Sequence, residues 1–125
     1  GDIPASAFGS TVGTTPAGAQ NTQNLGLTCA AGTNITVSLS GIQNPDSANT
    51  SVMALTGQGN AGTAKGVGVQ LIYNGAPLVM NSRLFLQQSA GGQETLPLTA
   101  RYYQTLTRVE SGSANASATL NVTYQ

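Results

Sequence analysis

Histidine and tryptophan are absent from this chain of 125 residues, cysteine occurs once, and only 6% of positions carry a charged side chain. Each absence excludes a chemistry. Without His there is no Ser–His–Asp or Cys–His nucleophile and no imidazole metal ligand. The four acids, Asp2, Asp46, Glu94 and Glu110, lie far apart in the sequence, so no tight carboxylate pair points to glycoside hydrolysis or a bound cation. They balance Lys65, Arg83, Arg101 and Arg108 to a net charge of zero. That leaves no basic stripe for phosphates, and nucleic acid is not an expected partner. No apolar run approaches the roughly 18 residues of a membrane helix, so membrane insertion is not expected, and the first residues do not read as a signal peptide. The expectation is a protein that is not an enzyme, with no catalytic residue, metal or cofactor.

What fills the chain instead is Ser, Thr, Asn, Gln and Gly, half of all positions. Helix is poorly supported, because no stretch free of Gly and β-branched residues keeps an i, i+3, i+4, i+7 apolar pattern. Period two recurs. Leu25, Leu27 and Cys29 alternate with polar residues or Gly, as do Ile35, Val37 and Leu39. The pattern returns in Val67, Val69, Leu71 and Tyr73, in Leu84 and Leu86, in Leu96, Leu98, Ala100 and Tyr102, and in Ala118, Leu120, Val122 and Tyr124. Each set predicts a strand with one buried face. Ala30-Ala31-Gly32-Thr33 and Ser89-Ala90-Gly91-Gly92-Gln93 read as turns. Asn74-Gly75 is the strongest hairpin signal, since both residues tolerate the positive φ of a type I′ turn. The polar stretches 9–24 and 43–64 read as loops or weak edge strands. Six or seven strands at this spacing imply a single antiparallel β-sandwich.

Two features are weaker. Four Asn-x-Ser/Thr matches begin at Asn34, Asn49, Asn115 and Asn121, but two fall inside predicted strands, where a glycan fits badly. Cys29 is open to several readings: a free thiol, an intermolecular bond, a disulfide whose partner lies outside this chain, or a small buried residue on a strand. It has no base to activate it as a nucleophile.

The C-terminal end is the most informative part. Alternating apolar residues run through Ala118, Leu120, Val122 and the penultimate Tyr124 to Gln125, where chain ends normally fray, and Gly112 stands fourteenth from the end. This combination resembles the C-terminal signature of subunits of chaperone–usher pili from Gram-negative bacteria. The resemblance extends upstream. Gly66-Val67-Gly68-Val69-Gln70-Leu71 with Asn74-Gly75 looks like the middle strand and hairpin of type 1-like pilin domains, nearest to the C-terminal pilin domain of a tip adhesin. Leu98-Thr99-Ala100-Arg101-Tyr102 resembles the next-to-last strand, and Ser113-Ala114-Asn115-Ala116 leads into the last.

The resemblance implies an incomplete immunoglobulin-like β-sandwich that lacks its final strand and is completed by a donor strand. Residues 1–125 then form one pilin domain. Its first strand is truncated at the N-terminus, since the family's first cysteine and N-terminal donor extension lie upstream of the segment matching 2–8. Cys29 matches the second cysteine of the family's single disulfide, which implies a partner outside this chain. The implied interface for chaperone or donor strand is Gly112, Ala118, Leu120, Val122, Tyr124 and Gln125. The implied partners are a periplasmic pilus chaperone, an outer-membrane usher and a neighbouring subunit that donates an N-terminal strand. The implied location is the periplasm during assembly and then the extracellular fimbrium. A carbohydrate-binding β-sandwich that reads a host glycan directly is the alternative. It is disfavoured because sugar sites usually present an exposed aromatic platform, whereas most aromatics here fall on inferred inward faces, Tyr103 excepted.

Overall fold

The computed structural model describes residues 2–125. Nine strands follow in order: β1 (Asp2–Ile3), β2 (Asn21–Cys29), β3 (Asn34–Ser40), β4 (Val67–Tyr73), β5 (Ala76–Pro77), β6 (Arg83–Gln88), β7 (Gly92–Gln104), β8 (Gly112–Ser113) and β9 (Thr119–Tyr124). The only helical pieces among the described residues are single 3₁₀ turns at Ala5–Ala7 and Ala17–Ala19, and none is long and apolar enough to cross a membrane. Two antiparallel sheets, ordered β2-β7-β4-β5 and β6-β3-β9, carry the architecture, and β1 with β8 forms a short ribbon. The result is an all-β sandwich with two open edges in each sheet.

The core lies between the sheets. Ile35, Val37 and Leu39 of β3 are almost fully buried, and Leu27, Cys29, Leu96, Val67 and Val69 supply the opposite layer. These are the alternating residues of the sequence, as the two-residue period of a strand requires. The Asn74-Gly75 hairpin is present, with φ of 51° and 82° and Tyr73 paired to Ala76. The chain then crosses between sheets. Leu78 N–H donates to Leu71 O at 2.8 Å, and Asn81 N–H donates to Leu39 O at 2.6 Å.

Three departures from the sequence expectations have physical causes. The strand expected from Leu25 begins at Asn21, because backbone pairing with β7 continues to Asn21↔Ala100 and Thr22 Oγ1 meets Thr99 Oγ1 at 2.8 Å. Regular pairing of the last strand starts at Thr119, leaving 115–118, including Ala118, outside it. Phe85 is turned outward and 56% exposed, opposite Thr36, and Leu86 is the extra residue of a bulge before Gln87↔Ile35.

The stretch 43–64 is a loop, yet it is held like core. It covers the outer face of β4, whose first four residues are all buried. Met53 and Val69 exchange backbone hydrogen bonds at 2.8 and 3.2 Å. Asn44, fully buried, donates through Nδ2 to Val67 O at 3.1 Å and to Gln58 Oε1 at 3.0 Å. Its Oδ1 accepts from Asp46 N–H and Gln58 Nε2. Gln70 Nε2 donates to Ser51 Oγ at 2.8 Å, while Arg101 Nε donates to Gln70 Oε1 at 2.9 Å. Buried amides survive here because nearly every donor and acceptor is paired.

Candidate functional site

The site is built from β9 outward. Leu120, Val122 and Tyr124 lie directly opposite Leu39, Val37 and Ile35 across the β3–β9 ladder, so all six point to the same face of the sheet. Their burial differs sharply. The β3 residues are 0–2% exposed, whereas Leu120 and Val122 are half-buried and Tyr124 is 49% exposed. The cause is topological. β3 has β6 on one side and β9 on the other, while β9 has β3 alone.

The opposing sheet shows the same opening from below. Leu96 at the start of the β7 apolar set is 1% exposed, but Leu98, Ala100 and Tyr102 are only half-buried although β7 is an inner strand. Along β2, Cys29 and Leu27 are buried, Leu25 half-buried, and Gln23 and Asn21 exposed. A trough therefore runs beside β9. It is closed by Leu27, Cys29, Ile35, Leu96 and Val122 at one end and opens toward Ala116 and Tyr102 at the other. At the open end it deepens into a cavity of about 290 Å³ lined by Ala19, Asn21, Ala100, Tyr102, Ala114 and Ala116 among others. A second space of about 550 Å³ adjoins it, sharing Ala19 and Tyr102. The wall is fixed where Tyr102 Oη donates to Ala114 O at 3.1 Å. Arg101 is the one charged residue lining the smaller cavity, and its Nε is engaged with Gln70.

The residues nominated from the sequence fall into four groups. Leu120, Val122 and Tyr124 form the wall of the trough. Gln125 continues the same ladder, its N–H donating to Asn34 O at 3.0 Å and its O accepting from Asn34 N–H at 2.6 Å. Gly112 and Ala118 lie elsewhere. Gly112 sits in β8 opposite Ile3, and a Cβ there would come within 2.6 Å of Ala64 N and 2.7 Å of Gly62 O. Close backbone approach is what its lack of a side chain permits. Ala118 is exposed just before β9, near Gly41. Cys29 is buried at the closed end of the trough beside Ile35 and Leu96. The nominated set omitted the floor, Leu25, Leu98, Ala100 and Tyr102. Their alternation was visible in the sequence, but nothing there showed which apolar faces stay uncovered.

An unpaired edge with an apolar trough beneath it offers one kind of recognition. A guest strand can pair with the backbone of β9 and place alternate side chains in the trough.

A family model described as "Fimbrial protein" matches residues 1–125. The chain is 36% identical over 103 residues to a fimbria adhesin protein of Klebsiella pneumoniae, a match covering 79% of this chain and 32% of that protein. It is 36% identical over 83 residues to the type-1 fimbrial protein A chain of Salmonella typhi, covering 64% of this chain and 45% of that one. It therefore spans under half the length of these curated relatives. Among solved structures, an antigen and type I fimbria protein of Burkholderia pseudomallei superposes with a TM-score of 0.77 at 31% identity, over 93% of this chain and 74% of that one. A tip adhesin of Pseudomonas aeruginosa shares the fold, with a TM-score of 0.74 at 18% identity over 97% of this chain and 33% of the adhesin. With a match from Gly1 to Gln125, an incomplete sandwich of this topology and fimbrial relatives, the chain belongs to the fimbrial protein family.

Proposed function

We propose that this chain is the pilin domain of a fimbrial subunit, assembled by donor-strand complementation. A periplasmic chaperone first fills the trough beside β9, and the N-terminal strand of a neighbouring subunit replaces it at an outer-membrane usher. The finished subunit resides in the extracellular fimbrium. Leu120, Val122, Tyr124 and Gln125 form the edge that meets chaperone and donor, while Gly112 and Ala118 lie in the stretch that leads into it. In the same reading, 1–125 is one pilin domain. Cys29 pairs with a cysteine upstream in the full-length subunit, and its inward position at the closed end of the trough suits a bond to a neighbouring strand. The role is structural.

The observation that carries this reading is the exposure contrast across the β3–β9 ladder. Apolar and aromatic side chains on the same face and in register are sealed on β3, but half-buried at Leu120 and Val122 and exposed at Tyr124 on β9. A strand added beyond β9 supplies the missing backbone partners and covers apolar side chains worth on the order of 1.5–3 kcal/mol each when fully buried. The test is thermal unfolding of the chain alone and with a peptide of alternating apolar residues or with a pilus chaperone. A large rise in Tm and slow release are expected. A chain that melts cooperatively at high temperature as a monomer, unshifted by any donor, overturns the proposal. Binding in a glycan-array screen of the donor-filled domain favours the carbohydrate-binding alternative instead.

A further inference from the structure

Of the asparagines in the chain, only Asn74 is followed by glycine, and that step is the whole turn between β4 and β5. An asparagine amide beside a glycine N–H is an electrophile next to its own nucleophile, because glycine has no side chain to shield the peptide nitrogen. Both partners are accessible here. Asn74, Gly75 and Ala76 are exposed, and a Cβ on Gly75 would have nothing within 4 Å. Among the described residues, neither the Asn74 side-chain amide nor Gly75 N–H has a hydrogen-bond partner. What restrains them is the backbone. Asn74 is left-handed, at φ 51°, and that conformation has ψ near about 47°. Ring closure needs Gly75 N swung to the side of Asn74 Cβ, whereas the left-handed ψ holds it on the opposite side. The turn must open before the two atoms can meet.

We propose that Asn74 is a site of spontaneous modification gated by the β4–β5 hairpin, with water as the only co-reactant. In the open turn, Gly75 N loses its proton to solvent and bonds to Asn74 Cγ as the Cγ–Nδ2 bond breaks and ammonia leaves. Water then opens the cyclic imide. Cleavage at Cγ restores the ordinary main chain with an aspartate at 74. Cleavage at the backbone carbonyl leaves the main chain routed through Cγ, as isoaspartate. The two products differ in consequence. Asp-Gly still suits a type I′ turn. Isoaspartate adds a carbon to a two-residue loop that must hold both Tyr73↔Ala76 and Ile72↔Pro77 in register, and the pairing is lost. Without β5, β4 becomes the edge of its sheet. Ile72, now 8% exposed, then lies on an unpaired edge of the kind that recruits other strands. The reaction marks chains whose hairpin has opened and keeps them from closing again.

The test follows conversion at Asn74 by peptide mass mapping, in the chain under native conditions and in urea, with isoaspartate told from aspartate by enzymatic methyl labelling. Slow amide exchange in β4 verifies the folded sample, and the chain with a donor peptide bound serves where β4 is not protected alone. In urea, Asn74 is expected to convert ahead of every other asparagine. In the folded sample it is expected to convert about tenfold or more slowly, equivalent to an opening free energy of about 1.4 kcal/mol or more. The isoaspartate product, returned to native conditions, is expected to lose amide protection at Ala76 and at Leu78, whose N–H donates to Leu71 O at 2.8 Å. Asn74→Asp is expected to keep that protection. Equal rates in folded and unfolded samples overturn the gate, and preferential conversion at another asparagine in urea overturns the site. Retained protection at Ala76 and Leu78 in the isoaspartate form overturns the loss of β5.

Discussion

At the scale of single residues, the glycines divide by what surrounds them. Gly112 stands against the backbone of 62–64, and Gly68 lies under Val52, with Asn44 Nδ2 and Met53 O at 2.8 and 2.9 Å from where its Cβ would be. Backbone and packed core cannot step aside as a flexible side chain can. Gly112→Ala and Gly68→Ala are each expected to cost about 1–3 kcal/mol, the range for forced overpacking, in urea unfolding of the donor-filled protein. Gly26 has nothing within 4 Å and no positive φ. Gly26→Ala is therefore expected to be neutral or slightly stabilising in the same measurement, since alanine restricts the unfolded chain. Equal losses at all three would mean that close approach is not what these sites require. Asn44 is the polar counterpart. Its Oδ1 and Nδ2 together knit 44–58 onto β4, and Asn44→Ala leaves buried partners unpaired at about 1–3 kcal/mol for each group stranded. The expected readout is faster amide exchange through 44–58 together with a lower unfolding midpoint.

Among the elements, the hairpin between β4 and β5 rests on two left-handed residues, Asn74 and Gly75. Asn74→Val puts a β-branched residue at φ 51° and is expected to destabilise by about 1–2 kcal/mol, read as a drop in unfolding midpoint that Asn74→Gly does not show. This turn was legible in the sequence because its chemistry is local. So were β3 and the apolar half of β7, whose alternation is set by burial on one face; β4 was legible as a strand, but Gly68, Gln70 and Ile72 on its other face are buried as well, while Leu71 and Tyr73 are only half-buried. The first half of β2 was not, because Asn21–Asn24 are held by pairing with β7 and make no apolar stripe. Nor was the grip on 43–64, which depends on the Asn44, Gln58 and Gln70 amides meeting across long sequence separations. Hydropathy sees such residues as solvent-facing. At the site, the wall was readable from Leu120, Val122 and Tyr124, while the floor required knowing that β9 ends a sheet. The different place of Gly112, in β8 against 62–64, also comes from tertiary packing alone.

The whole molecule is a sandwich with an apolar trough beside the unpaired edge of β9, and the consequence is that a charge placed there and a charge placed one residue away differ in kind. Val122 points into the trough beside Leu27 and Leu96, whereas Asn121 is exposed on the opposite face of the same strand, its Nδ2 3.5 Å from Ser40 Oγ. Val122→Asp sets a carboxylate where the guest strand must seal against the core. The cluster of Leu27, Cys29, Ile35 and Leu96 beside Val122 is apolar, so a carboxylate sealed against it loses its hydration, and capturing a donor gains nothing. Asn121→Asp carries the same charge into water and leaves the backbone edge of β9 unaltered. The expected outcome is loss of donor or chaperone capture in Val122→Asp, with no thermal shift on adding peptide, and capture near that of the unaltered chain in Asn121→Asp. Leu120→Asp is expected to behave as Val122→Asp does, because it shares the face. Loss of capture in Asn121→Asp as well would show that net charge, rather than burial in the trough, governs recognition. Retention of capture in both inward variants would show that the guest strand does not lie beside β9 at all.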